Sequence, residues 1–252
     1  MEGIVRHAGE GTPLFDGRIV LKSTLPDLCL TESWYSTARQ GATPHYHHHH
    51  ADTFYVLEGR MAFLLHDEEH ELGPGDCVCA PPGVVHGFRS LTAAHWLNMH
   101  TPNGGFCDHL QSLDSGGKGG FDNVDCEPGD SVGPVDEAIL LRAGEGERLE
   151  NDYRVAWIKV PREELSLIEF ELKPSFGGPP VHDHDDHVDS FFVIDGEAGF
   201  TMNGNSFVGG AGTFVAATRG ASHAFTGTGG HARLLNIHAP STGFHDRLRE
   251  MT

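Results

Sequence analysis

The chain contains itself twice. The stretch HYHHHHADTFYVLEG, from His45 to Gly59, returns as HDHDDHVDSFFVIDG, from His182 to Gly196. The same offset carries His47 onto His184, Asp52 onto Asp189 and His86 onto His223. One residue further out of step, LNMHTPNGGFCDHL (Leu97 to Leu110) recurs as LNIHAPSTGFHDRL (Leu235 to Leu248), and AGEG at Ala8 is echoed at Ala143. One such match could arise by chance, but not a series of them in the same order at a nearly fixed offset. The sequence is a tandem duplication. Its 252 residues divide into two copies of ordinary domain size, about 100 to 150 residues each. The expected boundaries are 1–112 and 136–252, joined by 113–135.

Each copy runs in short segments compatible with β-structure, such as FYVLEGRMAFLLH and FFVIDGEAGFTM, broken by glycines where a tight turn needs positive φ. GPGD at Gly73 and NGN at Asn203 punctuate in the same way. Many short strands with little helical periodicity predict an all-β fold, a sandwich or small barrel in each copy. Only the ends of the copies, around GGFCDHLQSL and TGFHDRLREM, have room for a short helix. Between the copies, SGGKGGFDNVDCEPGDSVGP is rich in glycine, acidic and without period. It reads first as a flexible linker and second as a loop that drapes over one barrel mouth.

Acidic residues outnumber basic ones 36 to 17, for a net charge of −19. Such a surface repels phosphate backbones and anionic headgroups, and the sequence holds no Lys/Arg cluster as a local exception. Nucleic acid and membrane surfaces are thus excluded as expected partners. No apolar run approaches the roughly 18 to 20 residues that span a bilayer. The five cysteines, Cys29, Cys77, Cys79, Cys107 and Cys126, form an odd set without a paired framework or a CxxC. With nothing near Met1 resembling a secretory leader, the expectation is a reduced, cytoplasmic, soluble protein.

Residues i and i+2 of an extended strand point to one face. His45 and His47 therefore aim two imidazoles into one cavity, Asp52 follows at the start of the next strand, and His86, after PPGVVH, supplies a third imidazole. Three histidines and a carboxylate form a mixed N/O set that leaves positions open on a Mn, Fe, Co, Ni, Cu or Zn centre. His182, His184, Asp189 and His223 repeat the set in the second copy, so one divalent metal is expected per domain.

These residues resemble the two sequence motifs of the cupin superfamily, and their duplication is similar to the bicupins. In the first copy the motifs fall on His45, His47, Asp52 and Gly59, then on Gly75, Pro81, Gly83 and His86. In the second copy Gly196, Gly212, Gly220 and His223 are in register, with Thr218 where the family usually has proline. Both copies carry aspartate where the usual pattern has glutamate, and Ser90 and Gly227 stand where an asparagine often closes the second motif. The resemblance implies two tandem cupin (jelly-roll) barrels, each with a metal inside, and a possible homodimer.

TPNGGF after the first metal motif resembles quercetinase-like bicupin dioxygenases. That resemblance implies an aromatic or enolic small-molecule substrate, O2 as co-substrate, and Asp52, or Asp189 in the second copy, as the group that takes the substrate hydroxyl proton. The alternatives are a non-redox isomerase, cyclase or decarboxylase using the same metal, and a non-catalytic binding or storage protein. His48, His49 and His50 are expected in a solvated loop. His100 and His238, in the repeated N-x-H-x-P stretch, are expected to cap strand ends, with a cavity-lining role second. Phe54, Val56, Phe191, Val193, Cys77 and Cys79 read as core. Of the two copies, the first keeps the fuller second motif and is expected to be the active one.

Overall fold

A computed structural model describes residues 3–251. The described residues are mostly antiparallel strand, with two short helices, α1 (Phe106–Asp114) and α2 (Phe244–Glu250), at the places expected for them. Two compact units form, one from residues 11–144 and one from residues 1–10 together with 145–252. The expected 1–112/113–135/136–252 division therefore shifts, for a structural reason. The first strand, Ile4–Arg6, pairs with Phe214–Ala217 of the second copy. Ile139–Leu141, beyond the Gly-rich stretch, pairs with Cys77–Ala80 of the first. The AGEG echo now has a meaning: Ala8 packs at Gly212 and Ala143 at Gly75, the same seat in each barrel.

The first barrel is two facing sheets. Ile139–Leu141, Cys77–Ala80, Ala51–Glu58, Ala94–Thr101, Cys29–Tyr35, Ile19–Thr24 and Thr12–Leu14 pair in that order. The opposite sheet runs Val124–Asp125, His45–Tyr46, His86–Ser90, Met61–Leu65 and Glu68–Leu72, with Arg39–Gln40 also on His86–Ser90. Phe54, Val56, Met61, Phe63 and Val78 fill the space between the sheets, as alternation along each strand requires.

In the second barrel the corresponding strands run through without a break, as Val188–Met202 and His223–Ala239. Phe170, Phe191, Val193, Phe200 and Leu234 form its core. Each long strand turns from one face of the barrel to the other at an irregular step in pairing. Gly196 sits at that corner with φ 72°, and a Cβ there would lie 2.0 Å from the His231 carbonyl oxygen. Gly59 occupies the same corner of the first barrel with φ 74°, 2.0 Å from the Ala93 oxygen. A side chain has neither the space nor the backbone conformation there.

Two expectations change. Cys29 and Cys107 are joined by a disulfide, 78 residues apart in sequence and 6.1 Å apart at Cα. Strand Cys29–Tyr35 and helix α1 bring them together across the fold, a pairing that no local spacing announces, and it removes the cysteine argument for a reducing compartment. Cys77 and Cys79 are buried and stand outside the disulfide, as the sequence reading of them as core expects. The Gly-rich stretch is built into the first barrel as the loop over its mouth: Val124–Asp125 pairs with His45–Tyr46, and Gly133 lies against Gly83. No helix among the described residues is long and apolar enough to cross a membrane.

Candidate metal centres

The eight residues expected to bind metal gather into two sets, His45–His47–Asp52–His86 and His182–His184–Asp189–His223. Within each set the ligand atoms lie within 4.8 Å of one another. Strand pairing explains the convergence. His45 and His86 are cross-strand partners, and His182 and His223 form the equivalent bridge. The amide of Gly83 donates to the His47 carbonyl oxygen at 2.7 Å, and that of Gly220 to His184 at 2.7 Å, tying the second motif to the first in both copies.

The first set is turned for coordination by main-chain carbonyls. Nδ1 of His45 donates to Thr43 at 2.7 Å, that of His47 to Asp122 at 2.6 Å, and that of His86 to Val84 at 2.9 Å. A neutral imidazole with its proton on Nδ1 presents a bare lone pair at Nε2. Three such lone pairs face the cavity, and that of His47 is buried without a partner. The rings are splayed by 55° to 65°, so the lone pairs, which lie in the ring planes, converge.

Asp52 closes the set. Its Oδ2 lies 3.2 Å from His86 Nε2 and 3.9 Å from His47 Nε2. Two acceptors facing each other at that distance repel unless a cation or proton lies between them. Burial, then the neighbouring imidazoles of His86 and His47, push the His45 imidazole down to about 3, which keeps that ring a neutral donor. Carbonyl-oriented imidazoles and a carboxylate are the donor set of a divalent transition metal.

Oδ1 of Asp52 faces the other way. It accepts a short hydrogen bond from the Asn98 amide and lies 3.5 Å from His100 Nε2, which is itself 3.1 Å from Asn98 Oδ1. Burial disfavours the Asp52 anion, but the charges and hydrogen bonds of His100, His47 and His86 outweigh it and hold the carboxyl well below its ordinary range. The second copy repeats the pattern: Asp189 Oδ2 meets His223 Nε2 at 3.0 Å, and its Oδ1 accepts from Asn236 at 2.6 Å and lies 3.3 Å from His238.

His100 and His238 are thus not strand caps but buried supports of the two carboxylates. Each stacks on the first residue of its helix, His100 on Phe106 at 3.7 Å and His238 on Phe244 at 3.8 Å. The cis peptide that follows each of them, Thr101–Pro102 and Ala239–Pro240, is shared as well. His50 also departs from expectation: it is only 1% exposed and stacks on His47 at 4.1 Å. Its counterpart in register is His187, equally buried, a match concealed by the Asp185 and Asp186 that replace His48 and His49. His47, His50 and His100 also approach one another closely. The His47 and His50 planes differ by only 20°, so their lone pairs run parallel and chelate poorly.

A cavity of about 640 Å³ opens onto the first set. Asp52, Asn98 and His100 line its inner end, and Phe54, Phe88 and Trp96 its walls. Phe121 and Asn123, from the Gly-rich stretch, line it too. Sequence reasoning missed Asn98 as a site residue and placed a cavity-lining role for His100 second, although the repeat of N-x-H in both copies was the available signal.

Residues 36–100 and 168–238 each match the family described as Cupin domain, together more than half of the chain. A quercetin 2,3-dioxygenase of Bacillus subtilis is 44% identical over 55 residues, 22% of this chain and 16% of that protein. An uncharacterized protein of Aquifex aeolicus is 43% identical over 49 residues, 19% of this chain and 40% of that protein. The matched stretches are thus well under two thirds of either relative. Among solved structures, a mutant of Bacillus subtilis oxalate decarboxylase superposes with a TM-score of 0.59 at 16% identity, covering 86% of this chain and 70% of that one. The same enzyme at pH 4.6 gives 0.58 at 17%, covering 88% and 71%. With one family match on each barrel and a candidate divalent-metal set inside each, the chain belongs to the cupin superfamily and is a bicupin.

Proposed function

We propose that the chain is a metal-dependent dioxygenase that acts at the first barrel on an enolic or phenolic aromatic molecule. The observation that carries the reading is the placement of the buried Asp52 carboxyl between three imidazoles and a cavity walled by Phe54, Phe88 and Trp96. The local identity to a quercetin 2,3-dioxygenase points the same way. A structural neighbour described for its Mn(II) centres supports a divalent metal in such barrels.

His45, His47, His86 and Asp52 would hold the ion, which supplies Lewis acidity and a path for electrons between substrate and O2. The chain's own residues do the rest. The aromatic walls receive the ring and orient its hydroxyl toward Asp52, excluding water from the reacting edge. Asp52 accepts the hydroxyl proton at Oδ2. A bound cation would make the substrate hydroxyl more acidic, so a carboxyl held below its ordinary range could still accept its proton. Asn98 and His100 hold Oδ1, so the carboxylate keeps its aim as the proton moves.

The test is oxygen uptake by protein loaded in turn with Mn, Fe, Co, Ni or Cu, with flavonols and simpler enolic phenols as substrates. Uptake matched to substrate loss is expected with at least one metal. Turnover under nitrogen would move the assignment to an isomerase, cyclase or decarboxylase, and absence of uptake with every metal would end the dioxygenase reading.

A further inference from the structure

The cavity of the first barrel has a second polar end. Arg18 and Arg39 both line it, although 21 positions separate them in sequence and nothing local marks them as a pair. Neither guanidinium forms an ion pair among the described residues, in a chain with 36 acidic side chains to choose from. The Arg18 guanidinium lies over the ring of Phe15 at 5.1 Å and over that of Tyr35 at 5.7 Å. Its Nε is buried without a hydrogen-bond partner. An arginine held by its faces against aromatic rings keeps its N–H edge free, and that edge matches a carboxylate. Arg39 belongs to the same end: the buried Tyr35 hydroxyl, raised by burial, feels the opposing charge of both Arg18 and Arg39.

Strand register gives the distance between the two ends. Asn98, which binds Asp52, is paired with Thr31, and Tyr35 lies on the same strand as Thr31, paired with Ala94. The step from Thr31 to Tyr35 is four residues, roughly 13 Å at about 3.3 Å per residue. The stretch between is walled by Phe54, Phe88 and Trp96. The carboxylates lining the cavity are Asp52 and Asp125, and Asp52 is turned into the metal set.

We propose that the first barrel takes an aromatic acid, with the reacting hydroxyl at the metal set and a carboxylate at the far end on Arg18 and Arg39. This deepens the function proposed above and rests on it for the hydroxyl end. The two arginines select for the anion and give it a local attraction that the −19 chain as a whole denies it.

The experiment is equilibrium binding, by fluorescence titration under nitrogen, of 6-hydroxy-2-naphthoate to the zinc-loaded full chain. This compound carries its hydroxyl and its carboxylate at opposite ends of a flat bicycle, and its methyl ester is the neutral control. The acid is expected to bind about 10- to 100-fold tighter than the ester. Arg18→Gln and Arg39→Gln should each remove about tenfold or more of that preference and leave the ester unchanged. Zinc content and melting temperature report on the fold of each variant, and Arg39→Gln, at an exposed residue, carries the test if Arg18→Gln melts early. Equal binding of acid and ester, no binding of the acid, or an equal loss for both ligands in the variants would overturn the proposal. Because zinc and nitrogen exclude oxygen chemistry, a failed oxygen-uptake assay would leave this result standing, and a failed binding result would leave the oxygen assay free to succeed.

Discussion

The two barrels carry the same ligand set in different settings. In the first, the loop that precedes Ile139–Leu141 closes over the mouth, and its Asp122 carbonyl orients His47. His45 and His47 are buried there. In the second, His182 and His184 are only half-buried. The histidines behind the carboxylate differ as well. His187 Nε2 meets His238 Nδ1 at 2.9 Å, whereas both ring nitrogens of His50 are buried without a hydrogen-bond partner, Nδ1 lying 3.7 Å from the Asp122 carboxylate. Duplication preserved the donors, and the surrounding segments buried one set more deeply and left the other more exposed. For the function proposed above, which needs water excluded, the more buried first set is the better fit.

The sharpest way to break this comparison is to neutralise one carboxylate at a time. Asp52→Asn should lower kcat by about 10²- to 10⁴-fold, the usual weight of a general base. Asp189→Asn should change it by less than about threefold, within the range of substitutions remote from the chemistry. Both are read in steady-state oxygen uptake with metal content checked per chain. A larger loss from Asp189→Asn would transfer the reaction to the second barrel.

Acid should separate the barrels next, in metal-free protein. Burial first, then nearby imidazoles, push His45 and His50 down to about 3 and hold His100 well below its ordinary value. An unfolded histidine binds its proton near about 6.5. These groups therefore contribute stability that is complete above that pH and is lost as pH falls from about 6.5 toward 3, each unit of depression amounting to about 1.4 kcal/mol at most. In the second barrel burial likewise lowers His182 and His187 and takes His238 to about 3. There His223 is an opposing case: burial lowers it, but the Asp189 hydrogen bond and charge outweigh that and raise it. A raised histidine stabilises below its unfolded value, so the second barrel should lose less. Trp34 and Trp96 both lie in the first barrel, so fluorescence melting of a Trp157→Phe variant follows that barrel; its midpoint should fall faster than the second calorimetric transition between pH 7 and 5. Equal slopes would count against the difference in burial.

Redox conditions should act on one barrel alone. All five cysteines lie within residues 11–144, and the Cys29–Cys107 bond closes a long loop there. Reduction, or Cys107→Ser, should cost the first barrel about 2 to 4 kcal/mol and leave the second transition unmoved in calorimetry. A shift in both would mean that the barrels do not unfold independently.

Much of this was legible in the sequence because the duplication repeats what is local. The ligand histidines, the corner glycines and the helix positions are short-range patterns, and each appears twice. What stayed hidden depends on segments distant in sequence. The disulfide joins a strand to a helix, Ile4–Arg6 pairs into the second barrel, and Arg18 and Arg39 come together only as the lining of one cavity. His50 was misread for a different reason. A run of histidines looks like a polar loop, and its burial is decided by Phe121 and His100, which lie far along the chain.

The smallest predicted effect bears on the loop. The bond from His47 Nδ1 goes to a main-chain oxygen, so no side-chain substitution at Asp122 removes it. Replacing residues 118–124 by a glycine–serine stretch of equal length leaves a carbonyl there but nothing to place it. Orientation by such a partner is worth about 10- to 100-fold in metal affinity. The first site should weaken by that amount and the second should not, read by competition with a chromophoric chelator in the His223→Ala and His86→Ala backgrounds that isolate each site. Asp122→Ala keeps the carbonyl and removes the carboxylate that accepts from the His49 amide at 2.7 Å, so it should cost less than the full replacement. If the two changes cost the same, the carboxylate anchors the loop and the carbonyl follows. If neither weakens the first site, its ligands are set by the barrel alone, and the contrast between the two centres must come from the burial of His45 and His50.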